Sequence, residues 1–223
     1  MIEGGTRGII FDYGNVLDYV DDQSPWLARR DVLAAQFNMT GDALWKLLYE
    51  TQPWQDCKRG RITYSEFWNR ILSPLGIIDA DKQADFVSRL FEGRDWINPE
   101  MARLMRELKP RYRLAVLSNT FDPEMEARIT DQHGLKEIFD VVVSSAAVGL
   151  AKPEAEIYTL TLERLSIAPG EGLFVDDMPR NTQAAEALGI PSIVFTTPTE
   201  LRRELRSRAI LPTPFETPAQ DSR

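Results

Sequence analysis

Asp12, Ser118, Asn119, Lys152, Asp176 and Asp177 are the residues of this 223-residue chain whose types could do chemistry together. They stand in four short stretches: Phe11-Asp12-Tyr13-Gly14-Asn15-Val16-Leu17, Leu117-Ser118-Asn119-Thr120, Lys152-Pro153 and Phe174-Val175-Asp176-Asp177. A carboxylate can attack phosphorus and form an aspartyl-phosphate, so Asp12 is the natural nucleophile. Attack requires the negative charges of carboxylate and phosphate to be offset. Mg2+ does part of this, taking oxygen ligands from one or two carboxylates, the phosphate and water. Asp12 and Asp177 would supply the carboxylates, with Asp176 behind them or sharing the ion. Lys152 would bring a point charge near Asp12. The Ser118 hydroxyl and the Asn119 backbone N–H can donate to phosphoryl oxygens as charge spreads onto them.

The elements that must position these groups are legible as apolar runs. Gly8-Ile9-Ile10-Phe11, Leu114-Ala115-Val116-Leu117 and Leu173-Phe174-Val175 read as buried strands, each ending at one of the stretches. In an open parallel sheet, residues just past the carboxyl ends of strands line the ligand crevice. Taken singly, each stretch has an ordinary reading. Asp12 could be a turn or cap residue, Ser118-Asn119-Thr120 a strand-to-helix turn, and Lys152-Pro153 a helix start. Their joint occurrence, in order and after the right strands, favours a functional site.

Between about residues 19 and 95 the pattern is helical only. Ser24-Pro25, Thr40-Gly41-Asp42 and Asp79 are predicted to open helices. Thr63 precedes Glu66 in a capping-box pattern ahead of Phe67, Trp68, Ile71 and Leu72. Asn98-Pro99 is predicted to cap a helix with Met101, Leu104, Met105 and Leu108 on one face. The second half then alternates strand and helix, as a parallel sheet requires. Strands are predicted at 112–117, 141–143, 172–176 and 192–195, with helices over about 123–132, 153–165 and 200–208. The expected architecture is α/β: a doubly wound, Rossmann-like parallel sheet over residues 1–18 and 96–210, with an inserted α-helical cap at 19–95. Residues 211–223, rich in Pro, Thr and polar groups, are expected to be a disordered or loosely docked tail.

With these motifs in place, the chain resembles the haloacid dehalogenase superfamily of hydrolases, most of which are phosphatases. The long insert after the first motif resembles the subfamily with a helical cap there. Asp-x-Gly-Asn-Val, Leu-Ser-Asn-Thr, Lys-Pro-Glu and Asp-Asp-x-x-x-Asn are most similar to the branch containing α-glucose-1-phosphate phosphatases. The resemblance implies a nucleophile at Asp12, phosphate binding by Ser118, Asn119 and Lys152, and Mg2+ on Asp12, Asp177 and the Gly14 carbonyl. Most phosphatases of the superfamily carry a second aspartate two residues after the nucleophile, as general acid and base. Gly14 occupies that position here, and the branch most similar to this chain shares the glycine. The departure shifts the expectation toward good leaving groups, such as sugar 1-phosphates or acyl phosphates. Asp18, or an aspartate of the 21–22 pair, is a candidate replacement acid.

Two rival readings are dehalogenation of a small 2-haloacid and a non-catalytic binding or regulatory role. Dehalogenases of the superfamily typically have Tyr-Gly-Thr from the second residue after the nucleophile; here Tyr13 stands one position early. Asp176-Asp177 would also repel a carboxylate substrate. Gly14 motivates the non-catalytic reading, and the retained cluster of Asp12, Lys152 and Asp177 opposes it, because like charges held together are costly.

A formal net charge of −8 argues against nucleic acid or anionic membrane surfaces as partners. Cys57 is the only cysteine, which excludes an intrachain disulfide and suits a cytoplasmic setting. No signal peptide and no membrane-length apolar run is apparent. A small phosphorylated substrate, sugar phosphate favoured, is the expected partner, and the protein itself is expected to be a monomer or homodimer. His133 reads as a helix-end residue. Trp45, Trp54, Trp68 and Phe67 read as cap core. Lys58, Arg59 and Arg61 read as a solvated turn between cap helices, with the alternative that one of them reaches the substrate's non-reacting end.

Overall fold

The computed structural model describes residues 5–93, 97–127, 129 and 137–212. Five strands, β1 (Gly8–Phe11), β2 (Arg113–Ser118), β3 (Val141–Ser144), β4 (Gly172–Asp176) and β5 (Ser192–Val194), form one parallel sheet in the order β3-β2-β1-β4-β5. Side chains alternate across a strand, and here both faces are covered. Ile9, Phe11, Leu114, Val116, Leu173 and Val175 enter one buried cluster. It also holds Met101, Leu104, Met105 and Leu108 of α6 (Pro99–Leu108). Ile10, Ala115, Leu117 and Phe174 enter the opposite cluster, with residues of α9 (Ala155–Leu165) and α10 (Pro179–Ala187). This is the doubly wound, Rossmann-like arrangement expected from the alternating pattern.

Between β1 and α6 the described residues form five α-helices: α1 (Ser24–Ala35), α2 (Gly41–Tyr49), α3 (Gln52–Cys57), α4 (Tyr64–Leu72) and α5 (Ala80–Phe91). Their starts follow local chemistry. Thr40 accepts from the Ala43 N–H, Asp79 from Lys82, and Thr63 and Glu66 complete a reciprocal capping box. Trp54, Phe67 and Trp68 are buried in the cap's own core with Leu44, Leu48, Ile71, Phe86 and Leu90. Trp45 packs at the edge of that core. The short helix α3 had no sequence signal of its own beyond Pro53.

The points where the chain leaves and re-enters the sheet layer are clasped together. The Asn98 N–H donates to Leu17 O at 2.7 Å, and its side-chain amide donates to Tyr19 O at 2.9 Å. Tyr19, placed with the cap from sequence, packs edge-on against Phe195 beside the sheet. At the other end, Leu211 is 2% exposed and its N–H donates to Leu205 O, so the fold continues one residue past the expected start of the tail. The anchor is apolar: Ile210 and Leu211 pack with Leu201 and Leu205 of α11 (Pro198–Ser207). Residues 213–223 and His133 lie outside the described residues. Of the helix predicted at 123–132, α7 (Met125–Ala127) is described. The helix predicted from Pro153 begins instead at Ala155, with Glu154 at its cap. A further short helix, α8 (Ser145–Val148), follows β3 directly.

Candidate active site

Strand register brings the four stretches to one edge. Phe11 pairs with Val116 on one side and Val175 on the other, so Asp12 falls level with Leu117 and Asp176. Asp12 leaves β1 in extended conformation, and its side chain accepts from the Tyr13 N–H at 2.7 Å. Its N–H donates to Val175 O at 2.8 Å, extending the ladder by one residue. The nucleophile candidate is therefore held by backbone on two sides.

Lys152 lies between two carboxylates. Its Nζ is 2.9 Å from Asp12 Oδ1 and 2.6 Å from Asp176 Oδ2, and the lysine is 1% exposed. The loop presenting it is locked by Asn119, whose amide donates to Lys152 O at 2.9 Å and accepts from Lys152 N–H at 2.8 Å. Asn119 thus uses its side chain to hold the lysine loop, leaving its backbone as the group near the site. Ser145, at the start of α8, braces the same turn: its hydroxyl accepts from Thr120 N–H and donates to Thr120 O. Ser118 ends β2, is 4% exposed, and its hydroxyl has no hydrogen-bond partner among the described residues.

Asp176 and Asp177 differ sharply in surroundings. Asp176 is fully buried, and its oxygens accept from Lys152, from the Met178 N–H at 2.8 Å and from the Asn181 amide at 2.9 and 3.1 Å. Asp177 is part-exposed and receives Asn15 Nδ2 at 3.1 Å. Asn15 can reach it because it adopts the left-handed conformation at φ 58°, which asparagine tolerates better than most residues. Carboxylate oxygens of Asp12, Asp176 and Asp177 all lie within 4.8 Å of one another. Gly14, at φ −65° and ψ 128°, has open space where a Cβ would project. Asp18 is 8% exposed and accepts from the Asn15 N–H, closing the turn after β1.

Electrostatically the cluster holds more negative charge than its lysine offsets. Burial pushes the Asp12 carboxyl well above the usual range; Lys152 pulls it back, and Asp176 and Asp177 push it further up. Burial also raises Asp177, against the hydrogen bond from Asn15 and with the push of Asp176. Burial works against the Lys152 charge, but Asp12 and Asp176 outweigh it and hold its ammonium above the ordinary value. Three acids around one lysine form a site that a divalent cation fits. Asn15, Asn181 and Ser145 were not assigned roles from sequence. The signals for the first two were their spacing within Asp-x-Gly-Asn and Asp-Asp-x-x-x-Asn; Ser145 had none.

The fold and site together define an α/β hydrolase with acidic residues at the carboxyl edge of a parallel sheet. The chain belongs to the haloacid dehalogenase-like hydrolase family, whose model matches residues 6–189. It is 27% identical over 160 residues to the sesquiterpene phosphatase AstK of Aspergillus oryzae, covering 71% of this chain and 80% of that one. It is 26% identical over 213 residues to the (S)-2-haloacid dehalogenase of Xanthobacter autotrophicus, covering 92% and 79%. Of two other curated relatives the chain spans only 19% and 54% of their length. Its fold is similar to a haloacid dehalogenase family enzyme of Bacteroides thetaiotaomicron solved with magnesium and inorganic phosphate. The TM-score is 0.68 at 24% identity, covering 86% of this chain and 95% of that one. Among the described residues no helix is long and apolar enough to cross a membrane.

Proposed function

We propose that this hydrolase is a Mg2+-dependent phosphomonoesterase that works through an aspartyl-phosphate at Asp12 on a small phosphorylated metabolite, a sugar phosphate first among them. The observation that carries the reading is the gathering of Asp12, Asp176 and Asp177 around the single charge of Lys152. Asp12, Asp177 and the Gly14 carbonyl would hold the ion, which when bound offsets charge on the phosphate and the carboxylates. Asp176 has all its accepted bonds directed at Lys152, Asn181 and Met178, which suits it to orient the lysine rather than to ligate. Asp12 Oδ would attack phosphorus as the P–O bond to the leaving oxygen breaks, that oxygen departing as a stable anion or taking a proton from water. Water would then attack phosphorus of the aspartyl-phosphate, its protons leaving with the phosphate and the Asp12 carboxylate being restored. Lys152 stays on the attacking carboxylate and the phosphoryl oxygens, and Ser118 with the Asn119 N–H donates to those oxygens.

Resemblance to a dehalogenase supplies the second reading, in which Asp12 attacks carbon. The same cluster weighs against it, because a haloacid carboxylate would meet three acids and one lysine. The likeness to a sesquiterpene phosphatase also favours the phosphatase reading.

The test is phosphate release, with and without Mg2+, from p-nitrophenyl phosphate, acetyl phosphate, glucose 1-phosphate and glucose 6-phosphate, with Asp12→Asn as control. Turnover that needs both Mg2+ and Asp12 is expected, faster on the good leaving groups. Halide release from 2-chloropropionate without metal, and no phosphate release, would replace the proposal with the dehalogenase reading.

A further inference from the structure

Asn15 touches two of the groups that would hold the ion. Its backbone N–H shares a trans peptide plane with the Gly14 carbonyl, and the two point in opposite directions. That N–H donates to Asp18 Oδ1, and Asp18 is 8% exposed. Asp18 thus fixes the plane and with it the direction of the Gly14 carbonyl. The Asn15 side chain reaches further: its Nδ2 donates to Asp177 Oδ2 at 3.1 Å, across 162 positions of chain.

The backbone bears a cost for this arrangement. Asn15 stands at φ 58° and ψ 5°, in the left-handed region that glycine enters freely and other residues enter with strain. A turn that needed only this geometry would be served by glycine. Asparagine brings in addition an amide with two donor hydrogens, and that amide meets a carboxylate. Gly14, one residue earlier, lies at φ −65°, where any residue fits. The strained position of the pair is therefore the one that carries the amide.

The bond limits how Asp177 can meet a cation. With Oδ2 held by Asn15, Asp177 offers one oxygen, and a grip by both oxygens would compete with the amide. Asp12 is restricted in the same sense, since its Oδ1 accepts from the Tyr13 N–H at 2.7 Å and lies 2.9 Å from Lys152 Nζ. Mg2+ suits such a site, because it forms a compact octahedron with one or two carboxylates and keeps several waters. Ca2+ gathers about six to eight oxygens and often takes both from one carboxylate.

Resting on the Mg2+-dependent phosphatase reading, we propose that Asn15 is a positioning residue that sets metal selectivity. It holds Asp177 to one-oxygen binding and so favours Mg2+ over Ca2+.

The experiment titrates MgCl2 and CaCl2 separately into the metal-free protein by calorimetry and takes the ratio of the two dissociation constants. Two-oxygen binding of Ca2+ at Asp177 would sacrifice one hydrogen bond to a charged group, so the wild type should favour Mg2+ by about tenfold. Asn15→Gly keeps the left-handed backbone and removes the amide, and the preference should fall to about twofold or less. Asn15→Asp also tolerates the turn but exchanges the donor for a further carboxylate, which Ca2+ can use. Its ratio should move toward Ca2+ beyond that of Asn15→Gly. A dissociation constant does not depend on the fraction of protein that is folded, so partial misfolding of a variant does not alter the ratio. A residue needed only for the turn would leave the ratio unchanged in both variants. That result, or a wild type without Mg2+ preference, overturns the inference, while Mg2+-dependent phosphate release from p-nitrophenyl phosphate leaves the phosphatase reading standing. A wild type that neither binds Mg2+ nor releases phosphate overturns both.

Discussion

Asn119 and Lys152 are tied by two hydrogen bonds of opposite sense, the Asn119 amide donating to Lys152 O at 2.9 Å and the Lys152 N–H returning one to Asn119 Oδ1 at 2.8 Å. The pair joins the loop after β2 to the loop before α9, and so holds the lysine against Asp12. Asn119→Ala removes both bonds, each worth about 0.5–1.5 kcal/mol net. A stability loss of about 1–3 kcal/mol in urea unfolding is expected, with kcat falling at least tenfold as the lysine loop loosens. Loss of stability with unchanged kcat would show that the loop is held by other contacts.

Asp12→Asn should abolish turnover and, without metal, stabilise the protein. A carboxyl whose folded value lies above its unfolded value binds its proton more tightly when folded. It contributes no penalty below the unfolded value, and it destabilises the fold increasingly as pH rises toward the folded value. The gain from Asp12→Asn should therefore be present near pH 7.5, at about 0.5–2 kcal/mol as is usual for relief of a strained functional site. It should shrink as pH falls toward 4. Thermal melts in EDTA across that range measure it. A variant less stable than wild type at pH 7.5 would mean that the Lys152 pairing outweighs burial and like-charge repulsion.

Mg2+ should raise the melting temperature of the wild type more at pH 7.5 than at pH 5, because protons compete for Asp12 and Asp177, both shifted upward. Asp177→Asn should lose most of the increment. An equal shift at both pH values would place the ion elsewhere.

Gly14→Asp tests the missing acid directly. The backbone at φ −65° suits any residue, and a Cβ would meet nothing within 4 Å, so the substitution fits without strain. General acid–base assistance is worth about 10²–10⁴ in rate. Turnover of glucose 6-phosphate should rise at least tenfold, and that of acetyl phosphate, whose leaving group needs no proton, should change little. If glucose 6-phosphate is already turned over as fast as acetyl phosphate, a replacement acid exists. Asp18→Asn then shows whether Asp18 leaves its bond to Asn15 to serve.

Phe121, directly after the Ser118-Asn119-Thr120 stretch, packs into the cap against Trp54, Tyr64, Phe67, Trp68 and Phe91, with ring centroids 4.9–6.4 Å away. Full burial of a Phe is worth about 3–5 kcal/mol against Ala, and this partly buried ring about 2. Phe121→Ala should lower stability by that amount and raise KM, since the cap loses its grip on a loop that borders the site. An unchanged KM would separate cap anchorage from substrate binding.

Much of the fold and part of the site were legible in sequence because local patterns determine them. Apolar runs ending in Asp12, Ser118 and Asp176 had to be buried strands. The Thr40, Thr63, Asp79 and Asn98 caps are decided within four residues of chain. Three motifs at the ends of parallel strands could meet only at one edge of the sheet, with Lys152 brought to them by the loop before α9. What depended on packing across the chain was hidden. Asn181 stands within the Asp-Asp-x-x-x-Asn spacing, but nothing local shows that Asn15 turns to Asp177 or that Ser145 braces Thr120. Lys58 and Arg59 are adjacent and alike in composition, yet Arg59 is paired to Glu154 across the seam between cap and core and Lys58 is not. Sequence determines which side chains carry charge and which backbone segments are regular. Only the tertiary structure decides which charges are desolvated together, and that sets the protonation of Asp12.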